Sequence, residues 1–460
     1  MTTAVPRADA MVLFGITGDL AGKMLLPALY QLSRKGRLTG PVYGAGRSDW
    51  SGERLRAHAR ACVAAAGTVD EDAFAAFAGL LHYARVDYDD AATFDALAAR
   101  TRGLGYLAHY VAVPPSAYAV IARRLARAGL ADDARLVVEK PFGSDLASAR
   151  TLQTELTRYF PEERLRRVDH FLGKDVVEGL PTWRCANTLM QAVLDRRHVR
   201  GVQLTLAEDF GVADRGGFYD ATGCVRDVVQ NHLLQTLASF VMEPPRGTSA
   251  ADSLDERVRA LRAIRTVRPQ ECVRGQYAGY QDTEGVRAGS TTETYATLRT
   301  GVDTERWDGV PFTIRSGKAL PVTSTEIVVE LRAPAPAGYR AAADGAPNLV
   351  RLRLNPRSGA SFDLLAQHAD EPYRLDRIRA ATDFPHLTGG DPAAYEHVLD
   401  DTMTGDPRRF CSMGMTEECW RVVGDVLDPP DTPLGYTPGT WGPAAAERLT
   451  TGRWFPLEGG

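Results

Sequence analysis

The sequence predicts an α/β N-terminal domain with a doubly wound parallel sheet, then an α+β C-terminal domain on one large, mostly antiparallel sheet. Three observations carry this. Residues 1–175 alternate short apolar runs with longer helical patterns, the rhythm of a parallel βαβα sheet. Residues 176–460 switch to period-two alternation interrupted by helical stretches, the pattern of half-buried antiparallel strands. The chain has 460 residues, 44% of them hydrophobic, which is long for a single core and far too apolar for dominant disorder.

In chain order, residues 11–14 read as a buried strand, followed by a glycine turn and a helical segment to about residue 34. Pro27 lies inside that segment and should kink it or delay its start. Residues 41–47 suit a second strand and 49–66 a helix, while 110–113 and 136–138 are further short strands. In the second domain the alternating segments are 201–207, 292–299, 326–332 and 349–355. Helical patterns fall near 225–242, 255–264, 395–403 and 416–426. Proline and glycine cluster at 334–347 and 428–443, which read as loops.

Composition excludes several classes of protein. Fifty-four basic residues against 58 acidic ones, a net charge of −4, leave no nucleic-acid or membrane-surface footprint. No stretch approaches 18 uninterrupted apolar residues, so no membrane span is expected. The start, MTTAVPRADAMVLFG, lacks a basic region and runs directly into the glycine turn, unlike a signal peptide. Six cysteines without C-x-x-C spacing read as free thiols of a cytoplasmic protein, not as a zinc site. Only five of the 54 basic residues are lysine: Lys23, Lys35, Lys140, Lys174 and Lys318. Three of them, Lys140, Lys174 and Lys318, fall in polar motifs and Lys23 falls in the glycine turn, a distribution that suggests an anion-binding cavity.

Gly15, Thr17, Gly18, Asp19 and Leu20 occupy the turn between the first strand and its helix. Glycines there let backbone approach a pyrophosphate and leave helix N–H groups aimed at it. The spacing, G-x-x-G-x-x-A, only approximates the usual dinucleotide fingerprint. At the end of the second strand an NAD site generally offers a carboxylate and an NADP site a cation. Arg47 and Ser48 stand there, with Asp49 expected to cap the next helix, so NADP is favoured and NAD is the weaker alternative.

Three segments carry chemistry. Glu139-Lys140-Pro141 ends a buried strand, and Lys140 could hold a cofactor or substrate oxygen. Residues 167–174 set Asp169, His170 and Lys174 close together where the second domain begins; imidazole and ammonium suit a phosphate, and the carboxylate could orient a second histidine. Residues 226–232 place His232 on the apolar stripe of Val225, Val228 and Val229, flanked by Asp227, Gln230 and Asn231. A neutral imidazole held by a carboxylate is a natural base for a hydroxyl proton that leaves as hydride departs the same carbon.

Taken together, GITGDLAGK, EKPFG, RVDHFLGK, GGFYDATGCVRDVVQNHLLQ, VRGQY, RWDGVPFTIRSGKAL and AYEHVLDD occur here in the order seen in glucose-6-phosphate dehydrogenases. The chain resembles that family over nearly its whole length. The resemblance implies a Rossmann-type N-terminal domain and homodimers or homotetramers formed through the large C-terminal sheet. It also implies NADP-linked oxidation at C1 of an aldose 6-phosphate to the 6-phospho-lactone, without a metal. By motif, His232 looks like the general base and Asp169 like its orienting carboxylate. His170 and Lys174 look like phosphate ligands, and Glu208 and Asp227 like the acids that bind sugar hydroxyls. Lys318 resembles the lysine of the R-S-G-K segment, Lys140 the lysine between cofactor and substrate, with a proline after it that is usually cis. Arg47 resembles the arginine on the NADP 2′-phosphate.

Departures gather at the phosphate end. The family's tyrosine is Phe171, a lysine of the turn is Met24, a cation five residues past Lys318 is Thr323, and an R-x-D-E pattern is missing from 411–420. These leave the reaction type intact and open the substrate to a modified aldose or amino-hexose of specialised metabolism. A glucose–fructose oxidoreductase-type enzyme would also carry E-K-P but not D-H-x-L-G-K or Q-N-H. A non-catalytic NADP-binding paralogue would be expected to have lost His232 and Asp169.

Overall fold

The structure is a computed structural model that describes residues 6–333, 347–371, 374–385, 387, 391–428 and 431–458. The chain forms two compact units. The first comprises Met1–Lys174, Thr248–Leu254 and Asp391–Glu417; the second comprises Asp175–Gly247, Asp255–Gly390 and Glu418–Gly460. A single cut at residue 175 therefore needs correction: the predicted helix at 395–403 belongs to the first unit.

The first unit is built on parallel strands β1 (Ala10–Phe14), β2 (Val42–Gly46), β3 (Leu81–Arg85), β4 (Leu107–Val111), β5 (Ala134–Val138) and β6 (Leu165–Val168). Their order is β6-β5-β4-β1-β2-β3, the doubly wound arrangement whose switch point lies between β1 and β4. Apolar runs such as Ala10–Phe14 and Ala134–Val138 are wholly buried because helices cover both faces. Helix Asp391–Thr404 adds Tyr395, Val398, Leu399 and Met403 to this core. Pro27 lies inside a continuous helical run, where a π-helical turn at Ala21–Leu25 leads directly into the α-helix Leu26–Arg34 and the widened pattern accommodates its missing N–H. Helix Gly52–Ala66 is capped by Ser51, whose side chain accepts from Arg54 N at 3.1 Å. Asp49 is not the cap, a correction that follows from the helix starting three residues later.

The second unit carries β7 (Val199–Ala207), β8 (Cys272–Tyr277), β9 (Tyr295–Thr300), β10 (Phe312–Gly317), β11 (Ser324–Leu331), β12 (Leu349–Asn355), β13 (Gly359–Gln367) and β14 (Leu375–Asp383). The two-residue strand β15 (Phe410–Cys411) belongs to the first unit, where it joins β6 antiparallel, and β16 (Leu434–Tyr436) pairs with β8 in the second. The second sheet runs β14-β13-β12-β11-β7-β10-β9-β8-β16. It is mostly antiparallel, with β7–β10 and β8–β16 parallel. Strand β16 lies in the stretch expected to be loop at 428–443, while the predicted loop at 334–347 falls outside the described residues except for residue 347.

The central strands are not half-buried as predicted. Along β7 and β11 both faces are covered almost throughout. The polar face that the alternation assigns to water is covered by the C-terminal segment. Gln203 Nε2 donates to Arg453 O at 2.7 Å, Thr313 Oγ1 to Leu449 O at 3.1 Å and Arg351 Nη1 to Pro456 O at 2.7 Å. Polar strand residues thus find backbone partners in a strap that crosses the sheet, as burial requires. Strand β14 lies beyond the strap and is largely exposed.

Candidate active site

In the first unit the turn after β1 holds Gly15 at φ +81°, and a Cβ there would stand 2.3 Å from Ala112 O, at the end of β4. Only glycine permits so close an approach at the switch point. Gly18 N donates back to Gly15 O at 2.9 Å, closing the turn before Asp19 and Leu20 begin the helix. Asp19 forms an exposed ion pair with Lys23 (3.2 Å). Met24 is partly buried against the core of this unit. Arg47 is exposed just past the end of β2, where an anionic group on a nucleotide can reach it.

Beyond β5, Glu139 is buried and its carboxylate accepts from Tyr110 Oη at 2.5 Å, while its carbonyl accepts from Tyr118 Oη at 2.8 Å. Burial pushes its carboxyl up to about 7, although Tyr110 and Lys140 pull the other way. The Lys140–Pro141 peptide is cis, in keeping with the resemblance.

After β6 the chain makes a short 3-10 turn, His170–Gly173, capped by Asp169, whose Oδ1 accepts from Phe171 N at 3.0 Å. Asp169 and Lys174 are 2% and 4% exposed. Ionic side chains are seldom so dry without a purpose, because desolvation must be offset by partners. The His170 ring stacks on Tyr395 with centroids 5.6 Å apart and meets Phe171 edge-on at 5.3 Å. Phe171 lies beneath Lys174, whose Nζ is 3.9 Å from the ring centroid, a cation–π contact that helps hold the ammonium. One turn thus gathers Asp169, His170 and Lys174.

In the second unit the register does the positioning. Parallel strands β7 and β10 pair Ala207 with Gly317, so the next residues, Glu208 and Lys318, emerge side by side. Lys318 Nζ stands 2.6 Å from Glu208 Oε2 and 4.8 Å from the centroid of Phe210. Thr323 does not leave a gap where a cation was expected. Its hydroxyl bonds the Asp209 carboxylate and accepts from Asp209 N, tying down the loop that begins at Glu208.

His232 is 4% exposed and lies on a π-helix, Val225–Leu233, that continues into the α-helix Leu234–Val241. The stripe of Val225, Val228 and Val229 is buried together with His232, as expected, although the helix carrying them has the wider π-type turn. Asn231 serves the helix itself: its Nδ2 donates to Arg226 O at 3.0 Å and its Oδ1 accepts from His232 N at 2.7 Å. Asp227 lies on the first turn of the same helix. Tyr219, which sequence reasoning missed, is 3% exposed. Burial, then Cys224, Asp227, Glu208 and Glu293, push its phenol well above the usual range, placing it among both candidate sugar-binding acids. Glu293 was also missed, and nothing in its short T-E-T setting would have singled it out.

None of the six cysteines is in a disulfide, and among the described residues no helix is long and apolar enough to cross a membrane.

By fold, and by the chemistry these side chains can perform, the chain is a dinucleotide-dependent oxidoreductase. Residues 12–179 match the family model described as glucose-6-phosphate dehydrogenase, NAD binding domain, and residues 181–454 match its C-terminal domain. The chain therefore belongs to the glucose-6-phosphate dehydrogenase family. It is 41% identical over 456 residues to glucose-6-phosphate 1-dehydrogenase 1 of Mycobacterium tuberculosis, covering 98% of this chain and 97% of the relative. The enzyme of Dickeya dadantii is 34% identical over 478 residues, with 98% and 97% covered. Among solved structures, glucose-6-phosphate 1-dehydrogenase from Mycobacterium avium matches with a TM-score of 0.92 at 42% identity, covering 98% of this chain and 100% of that one. A glucose-6-phosphate dehydrogenase in complex with its substrate glucose-6-phosphate matches with a TM-score of 0.88 at 29% identity, covering 99% and 100%.

Proposed function

We propose that this chain oxidises D-glucose 6-phosphate at C1 to the 6-phospho-lactone, with NADP as acceptor. The carrying observation is the match along the whole chain, N- and C-terminal models together, with the acids, lysines and inward histidine retained. The glycine cradle of Gly15, which any Cβ would fill, fits a dinucleotide. Thr17, Gly18, Asp19 and Leu20 would lie along its pyrophosphate, Arg47 on its 2′-phosphate and Lys140 beside it. When bound, NADP supplies the acceptor for the hydride that leaves C1.

The chain's own residues do the rest. His232 takes the proton of the C1 hydroxyl as the C–O bond becomes a carbonyl, with Asp169 in the orienting role that the resemblance gives it. Glu208 and Asp227 accept from sugar hydroxyls, and Lys318, held by Glu208, donates to the sugar phosphate. His170 and Lys174 donate to the phosphate. Three of the four departures have structural employment here: Phe171 supports Lys174, Thr323 fixes Asp209 and Met24 packs on the core. This favours the ordinary substrate over a modified aldose. A cytoplasmic homodimer or homotetramer formed through the second sheet completes the reading, supported by the exposed β14 edge.

The test is NADPH absorbance on purified protein with glucose 6-phosphate, glucose and amino- or epimeric hexose 6-phosphates, repeated with NAD. The fastest turnover is expected with glucose 6-phosphate and NADP; a better rate on another sugar would reassign the substrate. His232→Asn should lower kcat by about two to four decades with NADP affinity unchanged. An unchanged kcat would remove His232 from the role of base.

A further inference from the structure

The helix that presents Asp227 and His232 begins at an abrupt break. Gly223 sits at φ 70°, ψ 174°, ending the run Gly216–Cys224, and the π-helix starts two residues on. The first N–H groups of such a helix have no partner within it, and Cys224, at the N-cap, offers no side-chain acceptor. Both are taken by one distant residue. Cys224 N donates to Glu293 O and Val225 N donates to Glu293 Oε1, each at 3.0 Å.

Glu293 is 3% exposed, and its charge is balanced where it lies. Arg274 Nη2 stands 3.2 Å from Glu293 Oε2, and the same guanidinium is fixed by the carbonyls of Thr291 (2.8 Å) and Asp431 (3.0 Å). A carboxylate at a helix N-terminus also meets the positive end of the helix dipole. Gly223 and Glu293 are a fitted pair, since a Cβ on the glycine would lie 2.6 Å from Glu293 Oε1. A second latch works one turn earlier. Asp220 accepts from Arg287 Nε at 2.7 Å, from Tyr280 Oη at 3.2 Å and from the Ser290 hydroxyl, and its carbonyl accepts from Thr292 Oγ1 at 2.7 Å. Residues 280–293 are thus fastened to both sides of the break.

We propose that Glu293, balanced by Arg274, is a positioning residue for the dehydrogenase reaction. It fixes the start of the π-helix and so the rotation and height at which Asp227 and His232 are presented. Glu293 acts through the helix, by its bonds to Cys224 N and Val225 N. The inference rests on the reading of His232 as base.

Glu293→Gln keeps the shape but leaves one of its two partners, Val225 N–H or Arg274, facing an amide N–H₂. Turnover of glucose 6-phosphate should fall about ten- to a hundredfold, with the Kd for NADP within about twofold of the parent. Because the effect on kcat runs through His232 and that on Asp227 through sugar binding, the double variant His232→Asn with Glu293→Gln should have no lower kcat at saturating sugar than His232→Asn alone. A single Glu293→Gln variant at the parental kcat overturns the positioning role, as does a double variant whose losses multiply. His232→Asn at full rate would instead sink the base assignment, so the two failures are separable. Should Glu293→Gln not fold, hydrogen exchange on the unaltered protein decides. Protection of the Cys224 and Val225 amides equal to that inside Leu234–Val241 is expected, and exchange at the rate of an unpaired helix start overturns the proposal.

Discussion

At position 171 a ring without a hydroxyl lies under a buried ammonium, and this one contact changes how a sequence departure is read. A lost tyrosine looks like a lost phosphate contact, yet the aromatic face that holds Lys174 is retained, and only the hydroxyl is gone. The cost should then be that of one hydrogen bond to a charged phosphate, about 1.5–3 kcal/mol. Phe171→Tyr is expected to lower the KM for glucose 6-phosphate about ten- to a hundredfold with kcat unchanged. An unmoved KM would mean that the phosphate is held elsewhere. Asn231 teaches the same lesson in reverse. Its amide, read as part of a catalytic polar cluster, is spent on Arg226 O and His232 N, keeping a widened helix closed.

At the scale of elements, strand ends do most of the work. The register of β7 against β10 creates the Glu208–Lys318 pair, and the end of β5 places Glu139 in a dry setting beside Lys140. The carboxyl of Glu139 is raised from the usual 4.5 to about 7 by burial. Between those values the folded protein holds a proton that the unfolded chain has released, so the contribution of Glu139 to stability is greatest below about pH 4.5 and declines as pH rises through 7. A shift of that size corresponds to about 3 kcal/mol. The cofactor-free protein should therefore lose stability between pH 5 and 8, and Glu139→Gln should flatten that slope. Urea midpoints measured across the range provide the check; equal slopes in the two proteins would place the pH dependence in other groups. Asp401, raised to about 6 by burial, contributes in the same direction at lower pH.

At the scale of the whole molecule, the second sheet has one protected end of its polar face and one open flank. The C-terminal strap shields β7, β10 and β11, whereas β14 presents Ile378 at 48% exposure opposite Leu364 at 42%. An apolar cross-strand pair on an exposed edge is a place where natural sheets either aggregate or pair. If the second sheet forms the oligomer, Leu364→Glu with Ile378→Glu should reduce the mass in solution to that of a monomer, measured by light scattering, with secondary structure retained. An unchanged mass would put the interface on another surface.

The two fold classes, the glycine turn and the cation that follows β2 were legible in the sequence, as were the motifs that nominate the candidate site, because each of these is written locally. A glycine, a strand end or an H-x-L-G-K run carries its chemistry wherever the chain takes it. The remainder depends on residues distant in sequence. Residues 391–417 return to the first unit because Tyr395, Val398 and Leu399 complete its core. The alternating strands are buried on both faces because a strap more than a hundred residues away from most of them supplies backbone partners. Short strands such as β3 and β6 have too few apolar residues in sequence to announce themselves and exist because their neighbours pair with them. Glu293 joins Val225 for the same reason: a helix start needs an acceptor, and which residue provides it is settled by packing, not by spacing.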